Sequence, residues 1–158
     1  MNLKETINEV ESFHAKQYRQ QITFKTPLND RPRFVKTFLS SFALVRGSAT
    51  IELVVFEPKN LLELLALHSL SHKSIASKFF MHLTIEATGQ EEIRSLLEAA
   101  LGDWVDLTFV ANPPAFAVFA DHNEYITFFS DDNADLSDLT SALVNGGFAP
   151  VLDFTREF

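Results

Sequence analysis

Residues 115–130 read AFAVFADHNEYITFFS, and this stretch restricts the fold most tightly. Two runs of β-branched and aromatic residues flank the polar loop Asp121-His122-Asn123-Glu124, a strand-loop-strand signal. Alternation places Phe116, Val118 and Ala120 on one side of the first strand and Ala117 and Phe119 on the other. In the second strand Tyr125, Thr127 and Phe129 alternate with Ile126 and Phe128. Neither side is polar. A sheet with one wet face alternates apolar with polar, so this hairpin calls for cover on both faces, which helices on both sides would supply.

The 158 residues are enough to bury a full core and are read as a single domain, 1–158. A helix-rich part over 1–72 precedes a core over 78–158. The aromatic content is 16 Phe against two Tyr and one Trp. Phe has no polar handle, so it fills a core or an apolar interface. The absence of cysteine excludes disulfides, iron–sulfur centres, thiolate zinc sites and a Cys nucleophile. The first sixteen residues are charged throughout without an apolar core, and no run approaches the length of a membrane span. The expectation is a cytoplasmic chain with no membrane contact.

Along the chain, apolar residues from Leu3 to Tyr18 follow helical spacing, predicting a helix over 3–19. A short strand at 21–25 and a loop at 26–30 follow. Asp30 is placed to cap a helix with Pro32 in its first turn, carrying Phe34, Val35, Phe38, Leu39, Phe42 and Val45 and stopping at Gly47. A strand over 49–56, a buried helix from Asn60 through Leu70 and an alternating strand over 78–87 come next. Thr88 and Glu91 have capping-box spacing ahead of a stripe of Ile93, Leu96, Leu97, Ala100 and Leu101. A strand over 104–110 leads to the hairpin. Acids at 131–135 then open a helix with Leu136, Leu139, Leu143 and Val144 on its stripe, stopped by Gly146-Gly147. A last strand over 148–154 has Pro150 at a sheet edge. The recurring strand-helix-strand order predicts an α+β fold, a ferredoxin-like β-α-β-β-α-β mixed or antiparallel sheet with one extra strand and an N-terminal helical extension.

The formal net charge of −8 is unevenly spread. Residues 1–47 carry eight Lys/Arg and four acids, residues 48–100 four and seven, and residues 101–158 a single cation, Arg156, against ten acids. The sign argues against nucleic acid, which requires clustered cations. Either the two ends attract each other within the fold, or Asp121, Glu124, Asp131, Asp132, Asp135 and Asp138 form an acidic interaction surface. The plainer reading of the last four is a helix start with favourable acids. Counting from Asp131, positions six and twelve are Leu136 and Ala142, which excludes an EF-hand.

His68 and His72 have the i, i+4 spacing of paired metal ligands, without HExxH or an identified third ligand. His82 shares a strand face with Thr84 and Glu86, and His122 shares a loop with Glu124; imidazole titrates in the range a general base needs. Hydrogen-bonded or turn residues explain the same patterns. There is no phosphate-cradling glycine loop and no nucleophile motif, and no cofactor is expected. The sequence therefore favours a non-catalytic protein-interaction or regulatory module, an inhibitor, immunity-like protein or small adaptor. Its expected partner is a basic protein or a second copy of the chain in a homodimer. The alternatives are a small metal-dependent hydrolase using these histidines and a domain that senses a small ligand.

Overall fold

The computed structural model describes residues 2–4, 18–42, 46–52, 82–101, 106–112, 116–121 and 124–157. These contain strands β1 (Asn2–Lys4), β2 (Gln20–Lys25), β3 (Arg46–Glu52), β4 (His82–Thr88), β5 (Asp106–Asn112), β6 (Phe116–Asp121) and β7 (Tyr125–Ser130). Helices α1 (Arg31–Ser40), α2 (Gln90–Ala100) and α3 (Asn133–Asn145) accompany them. The strands form one antiparallel sheet in the order β1-β4-β3-β5-β6-β7-β2. The fold is α+β, as the sequence predicts.

The strand order departs from the ferredoxin-like one. β4 and β5 each pair antiparallel with β3, so β4-α2-β5 is a βαβ unit split by an inserted strand. After α3 the chain returns beside β2 at the far end of the sheet, rather than beside β4. The predicted last strand is reduced to one bridge, Phe24 with Pro150, and one bond in which Val151 N–H donates to the Thr23 carbonyl at 2.8 Å. Proline has no N–H to contribute to a ladder, which limits pairing here. At the other end, Asn2–Lys4 pairs with β4 as a strand where the periodicity predicted helix. Residues 5–17 of that helix, the helix from Asn60 and residues 78–81 lie outside the described residues, while Tyr18 and Arg19 are not helical.

The three described helices pack on one sheet face. One cluster joins Phe24, Phe109, Phe116, Val118, Ile126 and Phe128 to Phe34, Val35, Phe38 and Leu39 of α1. Ile93, Leu96, Leu97 and Ala100 of α2 and Leu136, Leu139 and Leu143 of α3 complete it. Phe128 lies at the centre of the aromatic packing. Its ring centroid is 5.3 Å from Phe38, 6.1 Å from Phe34 and 6.2 Å from Phe24. The contacts with Phe38 and Phe24 are edge-to-face and that with Phe34 is tilted; aromatic pairs of this kind add about 0.5–1.5 kcal/mol each beyond burial, and fix α1 over β7 and β2.

The helix ends follow local chemistry, with three departures from expectation. Asp30 occupies the N-cap position of α1, yet its carboxylate accepts from Arg33 Nε at 2.6 Å and makes no capping bond to the backbone. At α2, Gly89 is the N-cap with φ of 82°, and it is Glu92, not Glu91, whose carboxylate reaches back to Thr88 N–H at 2.9 Å. α3 has a side-chain cap, Asp132 accepting from Ala134 N–H at 2.8 Å. It ends in a Schellman arrangement: Gly147, with φ of 85°, donates to Val144, and Phe148 donates to Leu143. That turn brings Phe148 onto Phe34 (5.0 Å) and leaves Val144 exposed, so Val144 is not a core residue.

Gly47 does not stop α1, which ends at Ser40. It lies in β3 beneath the Phe109 ring, where a Cβ would approach Phe109 Cζ to 2.1 Å. Gly47→Ala is expected to cost about 1–3 kcal/mol in urea unfolding, through overpacking. Combining it with Phe109→Leu should return a smaller loss than the two single changes added together, because the smaller side chain vacates the contested space.

Candidate functional site

The second sheet face carries Tyr18, Val110, Ala117, Phe119 and Phe129 in a small cluster of its own. Strand register builds it. Thr23 of β2, Thr127 of β7, Phe119 of β6 and Thr108 of β5 stand opposite one another in a row across four strands. The Thr23 and Thr127 hydroxyls hydrogen-bond at 2.9 Å and both residues are buried. One row along, Gln21, Phe129, Ala117 and Val110 are aligned in the same way.

The segment that follows α3 crosses this face as an arm. After the bridge at Pro150, Phe154 stacks on Tyr125 with centroids 4.8 Å apart and planes 27° apart. Arg156 follows two residues later and is held by four side chains of the sheet, with the Phe154 ring centroid 5.3 Å from its guanidinium. Its guanidinium pairs with Asp121 Oδ2 at 3.0 Å, donates from Nε to Thr127 Oγ1 at 3.3 Å, and lies 4.5 Å from the Phe119 ring centroid. Its backbone N–H donates to Gln21 Oε1 at 2.9 Å, and its carbonyl accepts from Gln21 Nε2 at 3.1 Å. The Arg156 and Asp121 side chains keep only 13% and 23% of their exposure, so the pair is shielded well beyond an ordinary surface ion pair. Chemically, this is an arrangement for recognising a cation and the backbone that carries it.

The six acids read as one surface divide into two groups. Asp121 and Glu124 stand at the hairpin end of β7, Asp121 paired with Arg156 and Glu124 exposed in the turn. Asp131, Asp132, Asp135 and Asp138 stand at the opposite end, in and before the first turns of α3. β7 separates the groups by about 17 Å, at roughly 3.3 Å per residue. Burial, then Asp132 and Asp138, hold the Asp135 carboxyl above its usual range. His82 begins β4, in register with Glu52 of β3. His68, His72 and His122 lie outside the described residues. Among the described residues no group of three or more acids and histidines is placed to hold a metal ion.

Gln21, Phe119, Thr127 and Arg156 are the site residues that sequence reasoning missed. The available signal was Arg156 itself, a lone cation among ten acids, two residues beyond a phenylalanine.

Two outcomes are expected. Arg156→Ala should lower stability by about 1.5–3 kcal/mol, the range for charge-assisted bonds, and a double-mutant cycle with Asp121→Asn should show coupling between them. Burial, and secondarily Asp131, push the Tyr18 phenol above its ordinary pKa. The folded state therefore favours the neutral phenol. Its contribution to stability is complete below about pH 10 and is lost as pH rises through the folded-state value. Alkaline unfolding of Tyr18→Phe should accordingly show a shallower loss of stability above about pH 10. No protein-family model matches the chain, and comparison with curated proteins and with solved structures gives no match.

Proposed function

We propose that the chain is a non-catalytic protein-interaction module whose second sheet face receives a basic protein partner. The observation that carries this reading is the occupied state of that face: aromatic and acidic side chains on β6 and β7 hold the segment after α3 through its one cation, Arg156, and through Phe154. Apolar contact area rimmed by charge is the usual composition of a recognition surface. The net charge of −8 and the weight of acids in residues 101–158 favour a basic partner and would speed its approach.

The test compares capture by the immobilised wild-type chain and by Phe129→Glu, shown to melt cooperatively, which places a charge in the apolar cluster without removing a side chain that holds Arg156. A defined partner should be retained by the wild type, lost by the variant, and released at about 1 M salt, where the Debye length is roughly 3 Å. Equal capture by both chains would remove this face from the interaction. A concentration-dependent dimer that Phe129→Glu abolishes would assign the face to self-association and overturn the basic partner.

A further inference from the structure

We propose that Gln21, Phe119, Asp121 and Thr127 form a binding site for one arginine residue of a partner polypeptide, filled in the resting chain by Arg156. The inference rests on the interaction reading above and names what the partner must present.

The site reads both halves of a residue. The Gln21 side-chain amide accepts from the Arg156 N–H and donates to its carbonyl, the pair of bonds a neighbouring strand would make. That part accepts any residue in an extended segment. The side-chain part is selective. A terminal guanidinium nitrogen meets Asp121 while Nε meets Thr127, and the planar group lies against Phe119. An ammonium is a single point of charge and cannot supply two separated donors from one planar fork, so lysine fits poorly.

The receiving side chains stand on strands β2, β6 and β7, positioned by ladder register rather than by a loop. Phe154 on Tyr125 adds a second contact two residues earlier, the spacing at which an extended chain returns to the same face. The preferred partner segment is therefore aromatic, any residue, arginine.

The arm is built to exchange. Between Phe148 and Phe154 it has a single bridge and one backbone bond to β2, and Leu152 stands in solvent at 85% exposure. The helix-covered core ends at Phe148, so the arm can leave without opening it. Arg156 thus acts as an internal competitor: partner affinity is lowered by the fraction of chains in which the arm is seated.

The experiment uses the full chain, its Arg156→Ala variant, and an acetylated, amidated peptide copying residues 152–157, LDFTRE. Binding is followed by fluorescence and by backbone amide shifts at Gln21, Phe119 and Thr127, to about 2 mM peptide, which reaches millimolar dissociation constants. The peptide should bind Arg156→Ala about tenfold or more tighter than the wild type, shift those three amides, and lose about tenfold when its arginine is replaced by lysine. Asp121→Asn added to Arg156→Ala should abolish binding. Equal affinity of wild type and Arg156→Ala would overturn occupation by the arm. Equal binding of the arginine and lysine peptides, or no shift in an Arg156→Ala chain that melts cooperatively, would overturn the site. If the peptide fails while Phe129→Glu still loses a captured partner, the arginine site falls and the interaction reading stands; if neither responds, both fall.

Discussion

From Ile126 to Ser130 every residue of β7 is buried, so the strand has no side that faces water. A one-residue slip would exchange Phe128 with Thr127 and Phe129, placing hydroxyls under the helices and a phenyl ring beneath the arm. The two faces therefore fix register together. On one, Phe128 receives Phe24, Phe34 and Phe38, which anchors α1 and the edge strand β2. On the other, Thr127 meets Thr23 and Arg156. A single strand thus joins the helix-side core to the proposed recognition face.

The two-sided hairpin was legible because it depends on local alternation: residues 116–121 and 125–130 form the strands that the pattern requires, and their inner residues are buried. The helix stripes were legible for the same reason, with Phe34, Phe38, Ile93, Leu96, Leu139 and Leu143 all on the core side. What pattern could not supply was the arm: a demand for burial on two faces does not name what lies on each, and the segment after Phe148 has no periodicity to read. Gly47 shows a related ambiguity. A glycine near the end of a helical pattern resembles a stop, whereas here its lack of a Cβ admits the Phe109 ring from a strand some sixty residues later.

The strand order was hidden by a different limit. β3 enters between β4 and β5, and β2 lies beside β7 although about a hundred residues separate them in sequence. Neither pairing leaves a local trace. Charge had the same difficulty: sequence offered either two ends that neutralise each other or an exposed acidic patch. The described contacts include a pairing outside that choice, in which the single cation of the acidic third folds back onto an acid of the same third, Arg156 on Asp121. The remaining acids of that surface are divided by the length of β7, so an attraction to a basic partner would act as a diffuse field together with one specific site.

The polar centre of the second face also constrains how that site can open. A buried hydroxyl left without a partner costs on the order of 1–3 kcal/mol. Thr23 and Thr127 bond each other, and Thr127 Oγ1 additionally accepts from the arm. Removing Arg156 without replacement strips that acceptor of a donor and leaves the Asp121 carboxylate without its partner in the arm. Water can fill both positions, but a second guanidinium fills them with the same geometry and restores the contact with Phe119. The face is therefore better suited to exchanging one arginine for another than to standing empty, and a partner that supplies arginine meets less opposition than one that only displaces the arm.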